Sequence, residues 1–202
     1  FANIGVEVLL LDIVPKSENA IESKKGLTLQ DKAVRNRIVN DALKSTLKSK
    51  PSPIYTKKIT NRIQTGNLED DLQKIKQVDW IIEVIIENLE IKKQLFEQIE
   101  KHRSPGTIIS SNTSGIPINK MISDRSEDFC KYFCGTHFFN PPRYLKLLEI
   151  IPSQKTNPDL ISFLMSYGEK FLGKTTVLCK DTPAFIANRI GIAGIAALFK
   201  LS

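Results

Sequence analysis

Three polar motifs stand at the edges of apolar runs in the second half of the chain. Together they supply a hydroxyl, a histidine, a carboxylate and a carboxamide. These groups are sufficient to hold a small alcohol and to take its proton while a hydride leaves. The motifs are Ser-Ser-Asn-Thr-Ser at 110–114, Gly-Thr-His-Phe-Phe-Asn-Pro-Pro at 135–142 with Leu-Glu-Ile-Ile at 148–151, and Asp-Thr-Pro at 181–183 with Asn188-Arg189.

His137 and Glu149 are the candidates for a general base. His137 precedes Phe-Phe-Asn-Pro-Pro, an aromatic segment that would keep water away, whereas the other histidine, His102, lies at the polar end of a predicted helix. Glu149 stands alone in an apolar run, and a buried carboxylate needs a partner. A histidine at a neighbouring strand end would be that partner and would become an oriented base. The alternative is a structural histidine among apolar side chains.

Ser111, Asn112 and Asn188 are candidate substrate contacts. Ser111 and Asn112 end a predicted strand at the carboxyl edge of the sheet, where open α/β folds bind ligands. They would serve equally well as the N-cap of a following helix. Asn188 lies in an apolar helix, where its amide is either a core hydrogen-bond partner or a group that points into a site.

Asp12 is a candidate cofactor ligand. An acid at the end of an early strand is where dinucleotide folds place their ribose-binding carboxylate, and its charge would disfavour a 2′-phosphate. A loop cap is the alternative. A metal site on Cys130, Cys134 and His137 is not expected, because no fourth ligand stands at a suitable spacing.

The composition is that of a globular protein. Apolar residues make up 41% and charged residues 25% of the 202, no apolar run approaches the roughly 18 residues of a membrane span, and three cysteines do not suggest a disulfide framework. The N-terminal residues show no secretory leader pattern. We therefore expect a cytoplasmic protein without a membrane span.

The net charge of +7 is concentrated in one segment. Residues 24–62 hold eleven basic and two acidic side chains, so the positive charge of this segment exceeds the net charge of the whole chain. The segment is either a solvated helix face or a site for an anionic ligand such as a phosphate-bearing cofactor. Nucleic acid is not expected as a partner, because the segment has a single aromatic residue, Tyr55, and no nucleic-acid-binding motif.

Strands alternate with helices along most of the chain, which predicts an α/β fold with a mostly parallel sheet. From residue 183 onward the chain is strongly apolar and helical, as at the start of a second, helical unit. Strands are predicted over 6–11, 59–65, 80–86, 107–109, 132–138, 147–151 and 175–178, helices over 28–49, 69–76, 90–102, 116–122 and 158–171, and a turn at Gly66-Asn67.

In combination these motifs resemble those of the L-3-hydroxyacyl-CoA dehydrogenases of fatty-acid β-oxidation, and the resemblance extends over nearly the whole chain. Residues 84–92 are similar to the family segment under the nicotinamide end of NAD. The sequence Pro-Pro-Arg-Tyr-Leu-Lys at 141–146 is most similar to that of the bacterial multifunctional branch of this family. The resemblance implies oxidation of (S)-3-hydroxyacyl-CoA to 3-oxoacyl-CoA with NAD as the cofactor, and a homodimer for the full-length parent protein.

The resemblance also implies a role for each matching residue. His137 would be the general base and Glu149 its orienting partner, while Ser111 and Asn188 would bond the substrate oxygen atoms. The cofactor would be lined by Asp12, Glu87, Lys92, Ser111 and Asn140, and the basic helix with Lys44 and Lys48 would face coenzyme A.

The family's first strand and glycine-rich loop would stand before Phe1 and are not part of this sequence. We therefore expect a Rossmann-like, doubly wound domain over 1–181 that lacks this strand and loop, followed by the start of a helical domain over 182–202. Because the loop amides would cradle the pyrophosphate, we expect a piece of a longer protein that, by itself, binds NAD weakly or not at all and has little or no activity. Two alternatives stay open: a truncated, non-catalytic module that binds acyl-CoA or another anion, and a related dehydrogenase of a hydroxy acid that is not a CoA thioester.

Overall fold

The computed structural model describes residues 1–201 and has an α/β fold with seven strands and eight α-helices in that range. Short 3-10 helices cover Ala2–Ile4, Lys57–Arg62 and Leu72–Gln77. The strands are β1 (Val8–Asp12), β2 (Ile63–Asn67), β3 (Trp80–Glu83), β4 (Ile108–Ser111), β5 (Phe133–Phe138), β6 (Leu147–Pro152) and β7 (Thr175–Leu178). The helices are α1 (Ala20–Lys24), α2 (Lys32–Arg35), α3 (Arg37–Lys48), α4 (Leu89–His102), α5 (Ile118–Met121), α6 (Glu127–Lys131), α7 (Pro158–Lys170) and α8 (Ala187–Leu201).

The first compact unit, residues 1–75, is built on two parallel strands, β1 and β2. Helix α3 packs against both strands, and its buried Val39 is 2% exposed. Polar bonds also hold the helix, since Thr65 donates to Asn40 over 2.9 Å and the Asn67 amide donates to Asn36 over 2.7 Å. The basic segment is thereby presented on helices that two short strands support.

The second unit, residues 76–202, contains a five-stranded sheet in the order β3-β4-β5-β6-β7. Strands β3, β4 and β5 run parallel, β6 runs antiparallel to β5, and β7 runs parallel to β6. The mostly parallel sheet predicted from the alternation of strands and helices is thus confirmed. The antiparallel β5–β6 pair places His137 directly opposite Glu149.

Helices cover both faces of this sheet, as in a doubly wound fold. Side chains alternate along a strand, and Cys134, Leu148 and Ile150 pack with Leu160 and Leu164 of α7 on one face. On the opposite face, Phe133 packs against Phe96 of α4 and Phe129 of α6, with ring centroids 5.1 and 5.5 Å apart. His137 lies four residues after Phe133 on β5, and Glu149 lies two residues before Ile151 on β6. Because side chains alternate, His137 and Glu149 lie on this second face.

Some local predictions were wrong. Gly66-Asn67 was predicted to be a turn, but both residues belong to β2, where Asn67 is buried and bonded to Asn36. The predicted helix over 28–49 is divided at Asn36, whose backbone leaves the helical region. Helix α8 begins at Ala187 rather than near residue 183. Helices α1 and α6 were not predicted, because five-residue helices carry little periodicity.

No α-helix within residues 1–201 combines the length and apolarity that a membrane crossing needs.

Gly135 is required by close packing under the strand that carries His137. A Cβ atom at this position would lie 2.8 Å from Ile118 Cδ1 and 3.1 Å from Ile151 Cβ, and both isoleucines are fully buried. We predict that Gly135→Ala lowers the free energy of unfolding by about 1–3 kcal/mol because of overpacking. Urea unfolding followed by circular dichroism measures this change.

Gly115→Ala is the matched control, since its added methyl would have no heavy atom within 4 Å. We expect the free energy of unfolding of this control to change by no more than about 0.5 kcal/mol. Equal unfolding midpoints for the two variants would contradict the packing argument.

Candidate active site

The carboxyl ends of β3, β4 and β5 place chemically active side chains along one edge of the five-stranded sheet. In the parallel register Glu83 pairs with Ser111, and Ser111 pairs with Gly135, two residues before His137. The antiparallel partner β6 adds Glu149 opposite His137. This is the edge at which open α/β sheets bind their ligands.

His137 and Glu149 form a buried hydrogen-bonded pair. His137 Nδ1 lies 2.7 Å from Glu149 Oε2, and the two residues are 4% and 0% exposed. A carboxylate oxygen only accepts hydrogen bonds, so the neutral imidazole carries its proton on Nδ1 and donates it to Glu149. This tautomer leaves Nε2 unprotonated, so that its lone pair can accept a proton, which is what a general base needs.

The backbone at the start of α8 secures the other oxygen of Glu149. Glu149 Oε1 accepts hydrogen bonds from the N–H groups of Ile186 and Ala187, over 3.1 and 2.8 Å. The partial positive charge of a helix N-terminus also favours a carboxylate there. The His137 ring packs against Phe139 and Phe185, at centroid distances of 4.4 and 5.7 Å. The pair is therefore held rigidly among apolar rings.

The free nitrogen of His137 faces a serine that the sequence analysis did not assign to the site. His137 Nε2 lies 3.2 Å from Ser114 Oγ, and the Asn188 amide lies 3.5 Å from the Ser114 carbonyl oxygen. Ser114 is exposed. The structure thus brings His137, Glu149, Ser114 and Asn188 together at one place.

Ser111 lies deeper than the predicted substrate contact would require. Its hydroxyl is fully buried and donates to Glu83 Oε2 over 2.6 Å, and it accepts the Thr113 N–H over 3.3 Å. Lys92 is also buried, at 1% exposure, and donates to Glu83 Oε1 over 2.6 Å. Ser111 and Lys92 are therefore both engaged by Glu83.

Glu87 and Asn140 have exposed side-chain surface. Glu87 Oε1 accepts bonds from the Thr113 hydroxyl and from the N–H groups of Ser114 and Gly115, over 2.5, 3.1 and 3.1 Å. Burial opposes ionisation of Glu87, but the Thr113 bond, the Lys92 charge and the two backbone bonds together lower its pKa. Glu87 is thus a charged cap on the turn that carries Ser114.

Asp12, Lys44 and Lys48 belong to the first unit. Asp12 ends β1, and its Oδ1 accepts the N–H of Ile13 over 2.7 Å, so it caps its own loop while remaining partly exposed. Lys44 and Lys48 are exposed and one turn apart on α3, and Lys44 lies 3.5 Å from Asp41. Both lysines are therefore available to an anion.

Two residues of the site, Ser114 and Glu83, were not predicted from the sequence. Ser114 was named only as the last residue of the 110–114 motif, although its position three residues after Ser111 places it beyond the strand end, where side chains become exposed. Glu83 carried a detectable signal, since it is a lone carboxylate in the apolar run Trp80–Glu83, the same pattern that singled out Glu149. No cluster of three or more His, Cys, Asp or Glu side chains in the part of the chain that the structure describes is arranged to hold a metal ion.

The sequence matches one family model, described as 3-hydroxyacyl-CoA dehydrogenase, NAD binding domain, over residues 1–182. It is 56% identical over 194 residues to a probable 3-hydroxyacyl-CoA dehydrogenase of Bacillus subtilis, covering 96% of this chain and 25% of that protein. A relative of the same description from Deinococcus radiodurans is 46% identical, with 96% and 52% covered. A putative fatty acid oxidation complex trifunctional enzyme of Rickettsia felis is 40% identical, with 94% and 24% covered.

Among solved structures, the chain is similar to an (S)-3-hydroxybutyryl-CoA dehydrogenase from Ralstonia eutropha. The TM-score is 0.68 at 27% identity, over 94% of this chain and 60% of that one. This chain spans between about a quarter and a half of the length of the three curated relatives described above. The Rossmann-like fold class predicted from the sequence is confirmed.

Cys179 lies next to Glu149 and gives the site a measurable pH signature. Burial, together with the charge of Glu149 and a hydrogen bond to it, raises the pKa of this thiol to about 12, and burial alone raises the pKa of Cys134 to about 12. In the unfolded chain a thiol titrates near pH 9. Between these values the folded protein keeps protons that the unfolded chain releases, so stability falls as the pH rises above about 9.

We predict that Cys179→Ala makes this decline shallower. A thiol that stays protonated in the folded state contributes a slope of up to about 1.4 kcal/mol per pH unit, and the variant loses one such contribution. Urea unfolding at pH 8 and at pH 10 measures the slope, with Cys134→Ala as the second thiol variant. Parallel stability curves for wild type and Cys179→Ala would show that this thiol ionises equally well in both states.

Proposed function

Since the chain belongs to the family of 3-hydroxyacyl-CoA dehydrogenase NAD-binding domains, we propose that its protein oxidises (S)-3-hydroxyacyl-CoA to 3-oxoacyl-CoA with NAD. The observation that carries this proposal is the state of His137. Its Nδ1 is bonded to a fully buried carboxylate, and its Nε2 faces a serine hydroxyl at the ligand-binding edge of the sheet. His137 is therefore an oriented base, and the place that the Ser114 hydroxyl occupies beside its Nε2 suits the hydroxyl group of a substrate.

His137 acts as the general base in the proposed reaction. Ser114 occupies the lone pair of Nε2 in the free protein, and the 3-hydroxyl of the substrate would approach the same nitrogen. As Nε2 takes the hydroxyl proton the ring becomes an imidazolium, which Glu149 stabilises across the 2.7 Å bond. The two backbone N–H groups at the start of α8 keep the carboxylate in place during this change.

Ser114 and Asn188 would hold the substrate oxygen, and Phe139 and Phe185 limit the access of water to the ring. We assign the direct hydroxyl contact to Ser114 rather than to Ser111, because Ser114 is exposed and Ser111 is fully buried. Ser111 then has a structural role beneath the protein surface, where it donates a hydrogen bond to Glu83.

The residues of the chain fit NAD, the cofactor of this family. The partly exposed carboxylate of Asp12 at the end of β1 suits ribose hydroxyls, and the carboxylate of Glu87 and the amide of Asn140 offer further polar groups at the edge of the second unit. Lys92 supplies buried positive charge behind Glu87, 3.6 Å from its Oε2. When bound, NAD supplies the hydride acceptor.

The coenzyme A part of the substrate would meet the basic segment. Lys44 and Lys48 project from α3 one turn apart and are exposed, so they can reach phosphate groups without the cost of releasing a buried partner. We propose fatty-acid β-oxidation in the cytoplasm as the setting and a homodimer as the assembly of the complete protein. The Rickettsia felis relative, described as a putative fatty acid oxidation complex enzyme, supports this setting.

We predict that, in the complete protein, His137→Gln lowers kcat for acetoacetyl-CoA-dependent oxidation of NADH by about 10²–10⁴-fold, the usual contribution of general acid–base catalysis. The absorbance of NADH measures this rate. His102→Gln is the matched control and should leave kcat unchanged, because His102 is exposed at the end of α4. An unchanged rate for His137→Gln would remove this residue from the mechanism, and acyl-CoA binding without any NADH oxidation by the complete wild-type protein would favour the non-catalytic module.

A second prediction separates the two serines. Ser114→Ala should lower kcat by about 10²-fold, as expected when one donor to a developing oxyanion is removed, and should leave the unfolding midpoint near that of wild type. Ser111→Ala should mainly lower the unfolding midpoint, because it leaves the buried Glu83 with one bond fewer. A lower kcat with an unchanged urea midpoint for Ser111→Ala, together with an unchanged kcat for Ser114→Ala, would show that Ser111 contacts the substrate.

A further inference from the structure

Glu83 is a buried carboxylate that the proposed chemistry does not use. It ends β3, its side chain is 0% exposed, and it accepts three hydrogen bonds of 2.6 Å. The donors are Lys92 Nζ, the Ile85 N–H and the Ser111 hydroxyl. A charge removed from water is retained only with such partners, so Glu83 joins three separate segments of the chain.

Lys92 connects Glu83 to the surface of the site. Its side chain is 1% exposed, and its ammonium also donates to the Ile85 carbonyl over 3.2 Å and lies 3.6 Å from Glu87 Oε2. The side chain of Glu87 is 45% exposed. One buried cation is therefore shared between a buried carboxylate and a half-exposed one.

The turn over residues 111–115 is attached to Glu83 at both ends. At one end Ser111 donates to Glu83 directly and accepts the Thr113 N–H. At the other end Glu87, which Lys92 holds, accepts from the Thr113 hydroxyl, the Ser114 N–H and the Gly115 N–H. The turn fixed in this way presents Ser114 Oγ to His137 Nε2 at 3.2 Å.

We propose that Glu83 and Lys92 form a buried positioning pair that holds this turn and thereby sets the contact between Ser114 and His137. In this assignment Lys92 acts on the turn by orienting Glu87. The importance of the Ser114–His137 contact for catalysis rests on the proposed function, whereas the geometry of the contact does not.

The position requires a carboxylate. Both oxygens of Glu83 face donors, so the amide of a glutamine would turn an N–H₂ group toward one of them. Lys92 would also lose its closest counter-charge. Glu83→Gln alone is therefore expected to lower the unfolding midpoint, and a loss of activity in that variant would not distinguish positioning from unfolding.

Two further variants separate positioning from stability. Glu83→Gln combined with Lys92→Met removes both buried charges and should recover most of the lost unfolding midpoint, since a neutral pair leaves no uncompensated ion. Glu87→Gln keeps the bond between Glu83 and Lys92 and weakens the link to the turn, and its imidazole spectrum, recorded without NAD, reports on this link separately from any contact of Glu87 with the cofactor. Glu100→Gln is the matched control, because Glu100 binds a guanidinium and a backbone N–H, those of Arg125 and Ser126, away from the turn.

The first readout is the ¹⁵N spectrum of the imidazoles in this chain. With only two histidines, the exposed His102 serves as an internal reference. In the Glu83→Gln/Lys92→Met and Glu87→Gln variants, the Nε2 signal of His137 should move downfield, toward that of a ring nitrogen without a hydrogen bond. Glu100→Gln should leave the signal in place. An unmoved Nε2 signal in Glu87→Gln and in a folded double variant would overturn the proposal.

The second readout is the rate of NADH oxidation. The double variant and Glu87→Gln should each lose kcat by about tenfold, equivalent to one hydrogen bond, while the KM for acetoacetyl-CoA changes little. If both the unfolding midpoint and kcat of the double variant recovered, Glu83 and Lys92 would contribute to stability only, which would contradict the positioning role. If the complete wild-type protein oxidises no NADH, the proposed function fails, yet the Nε2 shift still decides whether the pair positions Ser114.

Discussion

Glu149 has no access to water, so its carboxylate is stable only where the fold delivers compensating groups. It is bonded to His137, which lies opposite it in the antiparallel β5–β6 register, and to two backbone N–H groups at the start of α8. The β5–β6 register fixes the bond between His137 and Glu149. The path of the chain into α8 fixes the two bonds from the backbone N–H groups. Moving any of these elements would leave a buried charge without partners, so this single carboxylate ties the orientation of the base to the architecture of the unit.

A second buried carboxylate, Glu83, is compensated in the same way three strands away, on β3. Glu83 compensates the charge of Lys92 and accepts a hydrogen bond from Ser111, and it is linked to the exposed edge through Ser111 and, by way of Lys92, through Glu87. The fully buried charges thus lie under the sheet edge, where the low dielectric strengthens each bond, while the groups nearest His137 Nε2 at the surface are the neutral Ser114 hydroxyl and Asn188 amide. Such a division suits a site that must hold a neutral alcohol and stabilise the charge that develops as its proton leaves.

Much of this arrangement could be predicted from the sequence, but not all of it. Glu149 was recognisable because a lone acid in an apolar run requires a partner, and His137 was the nearest candidate at a strand end. The choice between Ser111 and Ser114 was not accessible, because it depends on where β4 ends and the chain turns outward. Gly66 and Asn67 were mistaken for a turn because their β-sheet bonds come from β1, more than fifty residues away, and local propensity does not register such contacts. Glu83 carried the same signal as Glu149, a lone acid in an apolar run, but its side-chain partners could not be identified from the sequence, because Lys92 and Ser111 lie on other segments of the chain.

The connection into α8 shows what the fold tolerates to keep the base in place. Ala184 and Phe185 adopt positive φ angles of 61° and 47°, a left-handed conformation that costs a non-glycine residue roughly 1–2 kcal/mol. Two such residues in succession persist only where the surroundings compensate. Here the Phe185 side chain is 1% exposed and packs on His137, and burial of a phenylalanine contributes roughly 1.5–3 kcal/mol. The next two residues donate their N–H groups to Glu149. A relaxed turn would direct these donors and the aromatic ring elsewhere, so the strained backbone is the local cost of orienting the histidine.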